Sequence, residues 1–323
     1  MTRFSRHLSA GLAGGFLLLS ACGTTPTPTA KATPTPTPTR PGPAMVQIEN
    51  SPLARPLSGL QQANLVYEYL AEGGITRMTA IYFQPSGSQR IEPVRSARPV
   101  TLRLQRAYHA VVFFSGANIK VLQAIQQQNI PALTEGSDGG IYFARDPSRR
   151  APHNLFTSGD RLAQGLSRYA PRVTYQLPAP GVPAASPAAP AATHIQFDQT
   201  SFHRVIYGYS AGDGAYAYST VDGPLLDRNT GQAIKPVNVI VLQVAHHDAG
   251  FTDVLGAPAV DFDLLGTGPA DIFSQGHHYT ATWNLANPDL PLKYLGADGK
   301  VMHLPDGLTW VHLVDPGTPI AAS

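Results

Sequence analysis

Two arginines three positions apart, Arg95 and Arg98, stand in the stretch EPVRSARP (residues 92 to 99), framed by Pro93 and Pro99 with Glu92 just ahead. A guanidinium is a rigid fork of donors that matches a phosphate or a carboxylate in two parallel hydrogen bonds. Pro99 suits the first turn of a helix beginning RPVTLRLQR. That start places Ser96 and Arg98 at a helix N-terminus, where free N–H groups and the helix dipole favour an anion. A strand reading FFSGAN brings Ser115 and Gly116 to the next helix start, on the same surface. The competing expectation is that the arginines are neutralised by Glu68, Glu72 or Glu92.

A second source of charge is the pair of segments NLVYEYLAE (64 to 72) and TRMTAIYF (76 to 83), which read as strands joined through Gly73 and Gly74. Strand alternation puts Glu68 on one face with Val66, Leu70 and Glu72. A carboxylate in such a stripe needs a partner, and Arg77 across the turn is the natural one. Glu68 is thus either half of a buried ion pair or a carboxylate positioned for chemistry. A third candidate lies in ARDPSRRAPHNLF (144 to 156), where His153 and Asn154 follow a proline. Histidine titrates near neutrality and suits general acid–base work, but a loop histidine also serves as a plain hydrogen-bonding cap.

Other chemistry is poorly represented. The eight histidines after residue 193 include His246-His247 and His277-His278, but neighbours on a strand face opposite ways. No HExxH, no HxH beside a carboxylate and no cysteine set appears, so no metal site is assigned. There is no GxSxG elbow, SxxK, Walker loop or GxGxxG, and no cofactor is expected. The basic residues form no stripe interleaved with aromatics, and nucleic acid is not an expected partner.

The elements that must hold these groups fall into two stretches. Residues 44 to 178 carry 14 Lys/Arg against 8 Asp/Glu, and residues 193 to 323 carry 5 against 13. Between them runs an uncharged Ala/Pro linker, residues 179 to 192, which marks a domain boundary. The opposite signs favour docking of one half on the other. The fold expected is α+β: a mixed α/β N-terminal domain, then a β-rich domain built as an antiparallel sheet or sandwich. In the first half a buried strand covers 109 to 116 and a helix covers 118 to 128 with Asn118 as its N-cap. Thr157 or Ser158 caps a further helix running to Arg168. In the second half, strands are expected at 238 to 247, 259 to 265, 278 to 285 and 309 to 315.

The first 21 residues read as an export signal. Arg3 and Arg6 precede an apolar run too short to cross a bilayer, and Leu19-Ser20-Ala21-Cys22 resembles a bacterial lipobox. The expected product begins at a diacylated Cys22 held in the cell membrane at its extracytoplasmic face. Cys22 is the single cysteine, so no internal disulfide forms. Residues 22 to 43 form a Thr/Pro-rich tether that favours extended polyproline II.

The segments MVQIENSPLARPLSGLQQANLVYEYLAEGGITRMTAIYF, IEPVRSARP and RAPHNLF together resemble the YerB-like bacterial lipoproteins, a family of unknown function. YSTVDGPLLDRNTGQAIKPVNVIVLQV and TATWNL…DGLTWVHLV resemble that family's second domain. The likeness spans residues 45 to 318. It implies a lipid-anchored, two-domain protein and brings no established reaction. It draws Glu72, Arg77, Arg95, Arg98, His153 and Asn154 together as motif residues. Where the family has glycine before PVRSAR, this chain has Glu92. The leading functional expectation is a binding protein that holds an anionic cell-envelope ligand with Arg77, Arg95 and Arg98. Glu72, His153 and Asn154 would shape that pocket. The alternatives are an envelope hydrolase or transferase using His153 with Glu72 or Glu68, and a scaffold for a protein partner.

Overall fold

The computed structural model describes Met1 and residues 42–170, 173, 177, 180–181, 189–253 and 256–323. The signal sequence, Cys22, nearly all of the tether and most of the Ala/Pro linker lie outside the described residues. No helix among the described residues is long and apolar enough to cross a membrane.

In the first half, β1 (Ala44–Glu49), β2 (Leu65–Leu70) and β3 (Thr76–Tyr82) are followed by helix α1 (Pro99–Tyr108) and β4 (Val111–Phe114). Helix α2 (Ile119–Gln127), β5 (Ala132–Thr134) and helix α3 (Gly159–Leu166) complete it. The second half opens with β6 (His194–Thr200), β7 (His203–Ser210) and β8 (Ala215–Thr220). Then come β9 (Asn238–Gln243), β10 (His246–Thr252), β11 (Pro258–Phe262) and β12 (Gly266–Ser274). They are followed by β13 (His277–Leu285), β14 (Lys293–Leu295) and β15 (Thr309–Val314).

Local sequence explains the pieces. Gly73 and Gly74 both hold positive φ, 71° and 76°, in the turn that joins β2 to β3. A Cβ on Gly74 would sit 3.0 Å from the Phe202 ring. Pro99 opens α1 with Arg98 as its N-cap, and Asn118 caps α2 by accepting the Lys120 N–H at 2.9 Å. Ser158 caps α3, which ends at Leu166.

The two halves are knit by one mixed ten-stranded sheet, in the order β14-β13-β12-β9-β15-β2-β3-β1-β4-β5. β15, near the C-terminus, pairs in parallel with both β9 and β2, so it is the seam between the halves. A five-stranded sheet centred on β6, β7 and β8 packs on one face of the large sheet. Val66, Phe113, Val239 and Trp310 meet Phe197, Tyr207 and Tyr218 there, and α3 adds Leu162. Helices α1 and α2 cover the opposite face, where Val100, Leu104 and Val121 pack with Tyr67, Tyr69, Val112 and Leu242. These cores are shared by both halves rather than closed separately within each.

Charge follows the expected complementarity. Arg103 and Arg106 of α1 bind Asp261 (Nη2 to Oδ2, 2.5 Å) and Asp289 (Nε to Oδ1, 2.7 Å) of the second half. Second-half Arg228 reaches back to Asp146 at 2.7 Å.

Candidate functional site

EPVRSARP crosses from the sheet to the helical layer and is pinned on both sides. The Arg95 N–H donates to the Gln47 carbonyl (2.8 Å), and the Arg95 carbonyl accepts the Ser115 N–H (3.0 Å). The Ala97 N–H donates to the Gly116 carbonyl at 2.9 Å. At the start of α1 the Thr101 hydroxyl accepts the Arg98 N–H (3.0 Å) and donates to Gln47 Oε1 (3.0 Å). The arginines are therefore fixed beside the N-termini of both α1 and α2.

A cavity of about 450 Å³ opens at this place. Glu72 and Arg77 of the β2–β3 hairpin, Arg95, Arg98 and the N-cap Asn118 line it, and Phe251 of β10 faces them. Asp253 also lies on that far wall, accepting the Ala257 N–H at 2.9 Å. Three guanidiniums and two helix N-termini thus meet in one hollow.

Their neutralisation is uneven. Arg98 is clasped by Glu72, with Nε and Nη2 at 2.7 and 2.6 Å from Oε2. Its Nη1 donates to the carbonyls of Ser96 and Ala97. Arg95 Nε lies 3.2 Å from Glu49 Oε2, in a geometry that makes no hydrogen bond. Arg77 is 2% exposed, and its buried Nε and Nη1 have no hydrogen-bond partner. Burial, then the charges of Arg98 and Arg95, bring Arg77 down to about 10, against an opposing pull from Glu49. It stays cationic at neutral pH. Glu49 is pushed up by burial, but Arg95, His153 and Ser51 outweigh this and hold it below the usual carboxylate range.

Glu72, Arg77, Arg95 and Arg98, expected from sequence to act together, do line one cavity. His153 stands behind it: its Nδ1 is 2.9 Å from Glu49 Oε2, the oxygen that also faces Arg95. Asn154 is elsewhere, accepting from Arg145 Nη1 at 2.8 Å and donating to the carbonyls of Asp146 and Arg149. It supports a loop and is removed from the pocket-shaping set.

Two charge assignments are corrected. Glu92 pairs with neither Arg95 nor Arg98. It is fully buried, with Arg149 at 3.1 Å and Arg228 at 3.6 Å. Glu68 does not pair with Arg77. In the hairpin register Met78 stands opposite Glu68, while Arg77 stands opposite Tyr69. Arg77 therefore emerges on the helical face and Glu68 on the other.

Glu68 is sealed between the sheets instead. Its Oε1 accepts Asn50 Nδ2 (2.9 Å) and the Thr76 hydroxyl (2.8 Å), and lies 3.0 Å from His203 Nε2. Its Oε2 accepts the Tyr218 hydroxyl and Trp310 Nε1, both at 3.0 Å. Burial pushes this carboxyl up, but the hydrogen bond and charge of His203, with His312 and Thr76, hold it at about 2. His312 is lowered to about 4 by burial, only partly offset by Glu68. His312 is then neutral at pH 7, so the anionic state of Glu68 there rests on its direct donors. A carboxylate with every lone pair occupied and no exposure is architecture, not a cleft acid.

Sequence reasoning missed Glu49, Asn118's place in the wall, Phe251 and Asp253. Glu49 was legible in part: MVQIEN carries polar Gln47 and Glu49 on alternate positions of an otherwise apolar strand. Phe251 and Asp253 reach the cavity from the second half across a long chain separation, which no local pattern encodes. Among the described residues, no group of three or more His, Cys, Asp or Glu is placed to hold a metal ion.

The fold that carries this hollow has a match among known proteins. The chain belongs to the family described as "Protein of unknown function (DUF3048)": residues 28–172 match its N-terminal domain and residues 193–311 its C-terminal domain. It is 28% identical over 278 residues to the "Putative lipoprotein YerB" of Bacillus subtilis (strain 168), covering 84% of this chain and 81% of that protein. The crystal structure of the YerB protein from Bacillus subtilis superimposes with a TM-score of 0.71 at 25% identity, over 90% of this chain and 97% of that one.

Proposed function

We propose that the protein is a lipid-anchored, extracytoplasmic binding protein that holds an anionic cell-envelope ligand between Arg77, Arg95 and Arg98. The observation that carries this reading is Arg77, a buried guanidinium lining the cavity with Nε and Nη1 unpartnered. A buried cation without a hydrogen-bonded partner is costly to a fold, and an anion in the cavity beside it would offset that cost through its charge. The α1 and α2 N-termini add favourable potential at the same place. Anchoring is supported by the lipobox ending at Cys22 and by the lipoprotein name of the Bacillus relative.

Ligand classes that fit are carboxylates and phosphates of the envelope, such as peptidoglycan stem fragments or anionic glycans. Calorimetry with muropeptide fragments is expected to give binding that weakens at least tenfold, about 1.4 kcal/mol, in an Arg95→Ala, Arg98→Ala double variant. Unchanged affinity in a folded double variant would remove the reading. A hydrolase or transferase has less support, because His153 is engaged by Glu49 rather than Glu72 or Glu68, and Glu68 is enclosed.

A further inference from the structure

A second cavity, about 410 Å³, lies beside the arginine cavity and shares two wall residues with it, Val121 of α2 and Phe251 of β10. Its chemistry is different. Arg103 is held by both oxygens of Asp261, and Arg106 by both oxygens of Asp289. Lys120 donates to the Gly250 carbonyl at 3.2 Å and sits 5.7 Å from the centre of the Phe251 ring. Both arginines of the second cavity are thus already matched by carboxylates, unlike Arg77 in the first, and Lys120 is exposed and turned to a carbonyl and a ring. What the second cavity offers is apolar wall: Leu102, Leu264, Leu285 and Pro288, with Leu265 at its rim 56% exposed.

We infer that the ligand is an amphiphile: a phosphate or carboxylate seated on Arg77, Arg95 and Arg98, carrying an apolar chain that passes Phe251 into the Leu102–Leu264–Leu285 cavity. This rests on the reading of the arginine cavity as an anion site and adds what the anion is attached to. A sugar or peptide in the second cavity would have to give up water against leucines and against arginines whose charges are already paired, and would lose hydrogen bonds there. An apolar chain loses none and removes Leu265 and the ring of Phe251 from water. Each methylene buried strengthens binding severalfold, so a chain of a few carbons is enough to register.

The test uses the full chain in lipid nanodiscs, with protein-free nanodiscs subtracted, titrated calorimetrically with inorganic phosphate, butyl phosphate, octyl phosphate and 1-octanol. Affinity is expected to rise along the phosphate series, with octyl phosphate at least tenfold tighter than inorganic phosphate and octanol far weaker than either alkyl phosphate. Ala124→Trp, which fills the second cavity from α2, is expected to return octyl phosphate to the affinity of inorganic phosphate while leaving the latter unchanged. Gln128→Trp, at an exposed position on the same wall, provides the same test should the first variant fold poorly. Equal affinities for inorganic and octyl phosphate in the unaltered protein overturn the apolar-chain assignment and leave the anion site standing. Octanol binding as tightly as octyl phosphate, or a tenfold octyl advantage surviving both tryptophan variants, also overturns it. Binding of none of the four removes the anion site and the inference with it.

Discussion

Glu49 and Arg77 stand directly opposite one another in the antiparallel register of β1 and β3, yet the nearest groups to Glu49 Oε2 are Arg95 and His153. One carboxylate therefore serves a guanidinium and an imidazole and does not bond the guanidinium across the strand from it. Glu72 is taken up by Arg98 and Glu49 by Arg95 and His153, so no carboxylate hydrogen-bonds Arg77 Nε or Nη1, and this is what gives the cavity its expected preference for anions.

Removing the Glu49 charge is expected to tighten anion binding. Glu49→Gln frees Arg95 and deletes the repulsion between Glu49 and an incoming anion, which at a few ångströms amounts to several times RT in a partly buried site. Affinity for inorganic phosphate is expected to rise at least fivefold, about 1 kcal/mol, by calorimetry. A weaker or unchanged affinity means that Glu49 is not competing with the ligand.

The Glu68 cluster is expected to act on stability alone. Glu68→Ala leaves the buried donors of Thr76 and Trp310 without an acceptor, removes one of the two partners of Asn50 Nδ2 and of the Tyr218 hydroxyl, and opens a cavity between the sheets. Breaking such a buried charged network costs about 3–5 kcal/mol. Chemical denaturation should show that loss, while anion affinity of the folded fraction stays the same. A cost under about 1 kcal/mol means that the cluster relaxes or takes up water.

Acid should unfold the protein through the same cluster. His312 titrates at about 4 in the folded protein, below its ordinary 6.5, so the unfolded chain takes its proton first. Its contribution is complete above about pH 6.5 and is lost as pH falls toward 4. Glu68, depressed from 4.5 to about 2, adds stability above pH 4.5 that is lost as pH falls toward 2. Melting temperature is thus expected to fall in two overlapping stages, and His312→Gln should flatten the upper one. A profile flat from pH 7 to 4 contradicts the assignment.

Much of the fold was legible locally. The Gly73-Gly74 hairpin, Pro99 at the start of α1, Asn118 as the α2 cap and Ser158 as the α3 cap each follow from a residue's own backbone preference. What was not legible was pairing at long range. β15 inserts between β9 and β2, joining residues more than two hundred positions apart, and no periodicity announces a partner. The Glu68 misassignment has the same origin. Chain proximity favours Arg77 as its partner, but register decides the face, and beside Asn50 and Thr76 the groups that hold it, His203, Tyr218 and Trp310, come from the other half. In the site, Arg95 and Arg98 were legible by charge and spacing, and the family likeness drew Arg77 and Glu72 to them. Asn154 was misplaced because a motif groups residues that stabilise a loop with residues that line a cavity.

The central claim is that Arg77 is kept for an anion at the expense of the fold. It is tested most directly by melting temperature against phosphate concentration, in the full chain and in Arg77→Met, which keeps an unbranched apolar stem and removes the guanidinium. The unaltered protein should gain stability with phosphate as RT ln(1 + [L]/Kd). The variant should melt higher without phosphate, since an unsatisfied buried charged group costs roughly 1–3 kcal/mol or more, and its curve should stay flat. A variant that melts lower and still gains stability with phosphate contradicts the account.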